Sequence, residues 1–144
     1  MAVSKRYEDP GALRPYYRLL CIRLLEDAPD GEFRLQIEGR PELENSRGEI
    51  HGGVIASLLD AAIGVAVRAA YTENQGATTV SLTINYVAPG RARLIASGQV
   101  LRAGGSLASA EAKVVDGTGQ LVAHAVGTMR ILKGKTPVLP ATGT

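Results

Sequence analysis

Residues 54–70 read VIASLLDAAIGVAVRAA, and this stretch decides the fold. It is apolar nearly all the way round and rich in Ala and Leu, interrupted by Ser57, Asp60 and Gly64. A helix apolar on every side belongs in the middle of a domain, covered on all flanks. Val65 and Val67 lower its helix propensity only slightly. Residues 54–67 are too short and too interrupted to read as a bilayer span.

What wraps the helix lies on both sides of it. Downstream, Val80, Leu82, Ile84 and Tyr86 alternate with Thr79, Ser81, Thr83 and Asn85, the period-2 mark of a strand. A turn at Ala88-Pro89-Gly90 follows. Residues 92–103, 106–115 and 120–132 are three further strand runs, split by Gly104-Gly105 and by Asp116-Gly117-Thr118-Gly119. Both separators carry hairpin chemistry. Upstream, Phe33, Leu35 and Ile37 alternate with Arg34, Gln36 and Glu38, a strand with one wet face. Residues 39–53 form a long loop, of the kind that compact domains keep for function. Residues 13–25 place Leu13, Tyr17, Leu20, Cys21 and Leu24 on one helical face, so a helix is expected there, with Cys21 in the core. Residues 28–31 read as a turn, and residues 71–76 as the loop that ends the central helix. Residues 1–10 read as a frayed terminus and residues 133–144 as a loose tail.

The expectation is one domain over residues 1–144, with a core over about 33–132. The class is α+β, a curved antiparallel sheet wrapped around one long central helix. The sheet's far face and edge strand then need cover, which points to an oligomer.

Composition narrows the function classes. The 144 residues carry 16 basic and 14 acidic side chains, a net charge of +2. No basic run tracks a phosphate backbone, and aromatic residues make up only 4%, so nucleic acid is not the expected partner. One cysteine rules out an internal disulfide and a cysteine-based zinc site, and it suits a reducing compartment. Lys5 and Arg6 are followed by Glu8 and Asp9 without an apolar run, which does not read as a leader. The expected setting is cytoplasmic, with no membrane partner.

Two features carry chemistry. Asp60 sits mid-helix among Leu58, Leu59, Ala61, Ala62 and Ile63, with no cation three or four residues away. A carboxylate placed there is costly unless something holds it, which makes it a functional candidate. The second feature is Asn45-Ser-Arg-Gly48-Glu-Ile-His51-Gly52-Gly53, running straight into the helix. Glycines let backbone come close to a ligand, and the first N–H groups of a helix have no internal partners. Such a place stabilises an oxyanion. Asp60 lies nine residues beyond His51, about 13 Å of helix rise, so the two features of one chain cannot share a small site. A two-fold dimer would bring one subunit's loop to the other's Asp60.

These residues resemble the hotdog-fold acyl-CoA thioesterases, in the phenylacetate-degradation (PaaI-like) branch. The pattern is Asn45, Gly48, His51, Gly52, Gly53, then Asp60 on the central helix, then Thr79 to Ser81 and Tyr86-Val-Ala-Pro89. The resemblance covers roughly residues 35–132. It implies hydrolysis of acyl-CoA thioesters with no metal and no cofactor, coenzyme A being part of the substrate. Asp60 would be the nucleophile or the general base on water. The Gly52 N–H would polarise the thioester carbonyl. Asn45 would orient water or carbonyl, His51 would hold the loop, and Thr79 would help position water. Gly48, Gly53 and Ser81 would border the substrate. The family also implies a homodimer, often paired into a homotetramer. Relatives often carry a Lys or Arg in the turn before the fourth strand of the sheet run, near the CoA phosphates, where this chain has Gly104-Gly105-Ser106. Arg91, Arg93, Arg102, Lys113 and Lys133 are the candidates to replace it. His124 reads as a structural histidine, since no ligand partner lies at metal spacing. The alternatives are an acyl-CoA-binding module without catalysis and a hotdog dehydratase or hydratase.

Overall fold

The computed structural model describes residues 14–25, 32–71 and 76–133. In chain order these form α1 (Pro15–Leu20), β1 (Arg23–Leu25), β2 (Phe33–Glu38), a 3-10 turn (Pro41–Leu43), α2 (Gly52–Ala69), β3 (Ala77–Tyr86), β4 (Arg93–Ala103), β5 (Leu107–Asp116) and β6 (Leu121–Ile131). The six strands make one antiparallel sheet in the order β1-β2-β4-β5-β6-β3. The sheet wraps α2, which is the hotdog arrangement the resemblance implies.

The helix sinks into the sheet because the sheet's inner face is floored with small residues. Ala96 and Gly98 on β4, Ala110 and Ala112 on β5, and Ala125 and Gly127 on β6 are all buried there. Register aligns Gly98 with Ala112 and Ala112 with Ala125, so one rung across three strands carries almost no side chain. The closest approach is at Gly98, where an added Cβ would stand 2.3 Å from the Ala62 carbonyl oxygen. Larger side chains close the core around this seam. Leu58, Leu59 and Ile63 of α2 and Leu35, Ile37 and Leu94 of the sheet are all fully buried. Burying each such side chain contributes about 1.5–3 kcal/mol.

Only the second half of α2 is covered on all sides: every residue from Ala61 to Arg68 is buried. In its first half Gly53 is exposed and Ala56, Ser57 and Asp60 are partly so, an open stripe along the helix. With 18 residues, α2 is long and apolar enough to cross a membrane by length and composition, contrary to the expectation for residues 54–67. In this fold the sheet buries its apolar surface.

The first helix is shorter than its periodicity predicts. It ends at Leu20, and Cys21 adopts a left-handed conformation with φ of 56°. The chain then enters β1, where Leu24 pairs with Leu35. Backbone pairing with β2 overrides a pattern that also suited a helix. Cys21 is exposed at this corner rather than in the core. The expected turn at 28–31, most of the loop at 71–76, the expected frayed start at 1–10 and the tail beyond Lys133 lie outside the described residues.

Gly98→Val should lower the stability measured by urea denaturation by about 1–3 kcal/mol or more, because the helix backbone leaves no room for a side chain. A variant as stable as the wild type would mean that the seam is not tight.

Candidate functional site

Asp60 lies on the open stripe of α2, half-buried. Its partner comes from the sheet: Thr79 Oγ1 donates to Asp60 Oδ1 at 2.7 Å. A β-bulge makes this contact possible. Thr79 pairs with buried Met129, but Ser81 pairs with its neighbour Thr128, so Val80 is the extra residue. Residues two apart on a strand normally share a face, and a bulge breaks that rule. Thr79 therefore faces α2, whereas Ser81 shares the outer face with Thr128. Thr79 and Ser81, both expected at the substrate, therefore lie on opposite faces of the sheet.

The loop before α2 is ordered by its own polar groups. Asn45 Oδ1 accepts from the N–H of Arg47 at 2.9 Å and of Glu49 at 3.2 Å. Glu44 and Ile50 form a β-bridge that closes the loop. Gly48 turns it with φ of 73°. Asn45 thus organises the loop from within. Glu49 is gripped by Arg47 at 3.2 Å and Arg91 at 3.3 Å. The hydrogen bond from Arg47 holds its carboxyl below the usual range, with Asn45 and the charges of Arg47 and Arg91 adding to this.

His51 is the N-cap of α2, and its Nδ1 accepts from Gly53 N–H at 2.9 Å. The Val54 and Ile55 N–H groups both reach the His51 carbonyl. Among the described residues, the Gly52 N–H is left without an acceptor. His51 and Gly53 therefore satisfy each other, and Gly52 presents the free donor at the positive end of the helix. Tyr86, at the end of β3, donates its hydroxyl to the Gly52 carbonyl at 2.7 Å. It clamps the peptide that follows the donor, the one whose N–H belongs to Gly53. The sequence quoted Tyr86 in a motif but showed no role for it, because the contact spans 34 residues.

The structure brings Asp60 and Thr79 together, and Asn45, Gly48, His51, Gly52 and Gly53 together. The two groups stay apart, since Gly52 and Asp60 are separated by eight residues of helix, about 12 Å.

Two sequence candidates are placed elsewhere. His124 Nε2 lies 3.3 Å from Glu111 on the outer face of the sheet. Lys133 donates to the Gly105 carbonyl and stands 5.7 Å from the centroid of the Tyr71 ring. Tyr71 in turn donates to the Gly104 carbonyl at 2.7 Å. A cation therefore stands at the Gly104-Gly105 turn, supplied from beyond β6. Among the described residues no three His, Cys, Asp or Glu side chains are grouped as a metal site.

Comparison with known proteins bears on the family and the fold. The thioesterase superfamily profile matches residues 47–123. A proposed esterase of Halobacterium salinarum is 42% identical over 96 residues, 63% of this chain. That match spans 64% of the relative's own length, just under two thirds. A proposed esterase of Saccharolobus solfataricus is 32% identical over 122 residues, covering 83% of this chain and 84% of the relative. A Bacillus halodurans protein crystallised with CoA superposes with a TM-score of 0.78 at 31% identity, covering 85% of this chain and 81% of its own. The E. coli PaaI protein from the phenylacetic acid degradation operon shares the fold, with a TM-score of 0.74 at 23% identity, over 84% of this chain and 86% of its own.

Gly48→Ala should cost about 1–2 kcal/mol, the price of a left-handed residue with a Cβ, whereas Gly48→Asn should cost less. Urea denaturation of both variants checks the order; equal stability of all three proteins would show that the loop does not need its left-handed turn.

Proposed function

The chain belongs to the thioesterase superfamily, and on that footing we propose that it hydrolyses acyl-CoA thioesters through Asp60. Family membership and the esterase relatives carry ester or thioester hydrolysis in general. The choice of Asp60 rests on one observation: a half-buried carboxylate on the open stripe of the central helix, held by Thr79 at 2.7 Å and ion-paired to no cation among the described residues.

The chemistry needs only protein groups and water. Asp60 takes a proton from water, the water oxygen attacks the thioester carbonyl carbon, and the carbonyl oxygen gathers negative charge. The Gly52 N–H, aimed out of the helix start, stabilises that charge. The C–S bond then breaks, and the proton held by Asp60 passes to the departing thiolate. No cofactor beyond the CoA portion of the substrate takes part.

Because one chain's Gly52 and Asp60 are about 12 Å apart, the working site is shared between two subunits of a homodimer. The open edge of β3 supports this. Among the described residues it ends the sheet and leaves Val80 and Tyr86 more than half exposed. Long unpaired edges of this kind are templates for pairing. A dimer of dimers would cover the outer face of the sheet. The Bacillus halodurans relative was crystallised with CoA. In this chain, Lys133 at the Gly104-Gly105 turn is the cation proposed to meet the CoA phosphates. The lone cysteine supports a reducing, cytoplasmic setting.

Thiol release from a panel of acyl-CoAs tests the proposal. Asp60→Asn should lower turnover roughly 10²-fold or more while leaving the fold intact. Near-normal turnover in a folded variant would overturn the mechanism. Binding without thiol release in the wild type would favour the non-catalytic module. Lys133→Ala should raise KM with kcat unchanged; an unaltered KM would remove Lys133 from the binding site. A catalytically active monomer in light scattering would refute the shared site.

A further inference from the structure

Glu49 holds two arginines at once, just ahead of the glycine turn that carries the backbone donor. Arg47 gives Nε and Nη2 to Glu49 Oε2 at 3.3 and 3.2 Å, and Arg91 gives Nη2 to Oε1 at 3.3 Å. The Glu49 side chain is only 17% exposed, whereas the arginine side chains are 68% and 63% exposed. The group carries two positive charges and one negative. Among the described residues, Arg47 Nη1 and Arg91 Nε and Nη1 donate to nothing. Exposed ion pairs add little to stability, so a brace is a poor account of two guanidiniums on one carboxylate. Guanidiniums that a carboxylate fixes in place, with donors left over, are suited to a phosphate.

The backbone ties this cluster to the proposed site. Glu49 precedes Gly52 by three residues, so their Cα atoms are at most about 11 Å apart. The Ile50 N–H bonds the Gly90 carbonyl at 2.8 Å, which pins the Arg91 backbone beside the same loop.

Strand β3 decides which groups would meet in the dimer. Thr79, near its start, holds Asp60, and Tyr86, at its end, holds the Gly52 carbonyl. Lys133 stands at the start as well, because the N–H of the preceding Leu132 bonds the Gly76 carbonyl at 2.9 Å. Pairing two β3 edges antiparallel about a two-fold axis sets the start of one strand beside the end of the other. The pairing that carries one subunit's Gly52 toward the other's Asp60 therefore carries Arg47 and Arg91 toward the partner subunit's Lys133. Three cations then fall on the same side of one shared site.

Beyond its pantetheine arm, CoA ends in an adenosine that bears a 3′-phosphate and a 5′-diphosphate. We propose that Arg47 and Arg91, oriented by Glu49, bind a phosphate of that nucleotide across the subunit interface from Lys133. The nucleotide is then part of what the protein recognises, and a thioester without it is a poorer substrate. The inference rests on the acyl-CoA hydrolysis and the shared site proposed above.

The test compares wild type, Arg47→Met and Arg91→Met on one acyl group carried either by CoA or by pantetheine, which lacks the nucleotide. Calorimetry measures binding of 3′,5′-ADP to the same three proteins. Met keeps an apolar stem and removes the charge. Each substitution should raise KM for acyl-CoA about tenfold with kcat unchanged, as one charge-assisted contact is lost. KM for acyl-pantetheine should stay at the wild-type value. The nucleotide should bind the wild type, and each variant about tenfold more weakly. An equal rise in KM for both thioesters would overturn the proposal, making the arginines mere supports of the loop. An unchanged KM for acyl-CoA would overturn it too. A wild type that releases no thiol from either thioester would bring down the hydrolytic reading. The phosphate site would then stand if 3′,5′-ADP binds and the variants lose it, and fall if the nucleotide does not bind.

Discussion

The rest of the structure depends on the contact between a helix backbone and a sheet backbone at Gly98. With Ala62's carbonyl only 2.3 Å from where a Cβ would stand, no side chain can be fitted between the two layers. The small residues across β4, β5 and β6 extend that seam and let α2 lie in the hollow of the sheet. The sheet can then curl far enough to cover the second half of α2 on every side. It leaves the first half with an open stripe, and that stripe is where the polar residues Ser57 and Asp60 fall.

The chemistry is organised by this division. Burial on most sides lowers the solvent around Asp60, which strengthens each electrostatic contact it makes. Openness on the remaining side leaves room for the proposed substrate. In the proposed reaction the same helix contributes twice, with a backbone donor at its start and a carboxylate two turns later. Because a helix is rigid, those two groups cannot approach each other within one chain. The separation is a geometric constraint, and a two-fold partner is the simplest way to satisfy it.

Single irregularities decide which side chains take part. One extra residue at Val80 turns Thr79 toward Asp60 and sends Ser81 to the other face. One left-handed residue at Cys21 ends α1 and frees the next residues to extend the sheet. The His51 side chain takes up the Gly53 N–H and leaves that of Gly52 as the outward donor. None of these effects needs a large energy. Each redirects a donor or acceptor by one position, and hydrogen-bond geometry tolerates little more.

Much was legible in the amino-acid sequence. A helix apolar on nearly all sides demands a surrounding layer, and strict alternation after residue 77 supplies one. A carboxylate stranded among leucines and alanines marks itself, as do glycines crowding a helix start. These are local signals, set by periodicity and by the cost of burying charge. What the sequence by itself determined was therefore the class of fold, the central helix, and the carboxylate and glycine turn at its open end. Tertiary structure alone decided the partners: Thr79 on Asp60, Tyr86 on Gly52, Tyr16 on Ser57, Lys133 at the Gly104-Gly105 turn. Each joins residues 19 to 41 positions apart. Strand register, a bulge and the exact lie of α1 set those distances, and no periodicity along the chain encodes them.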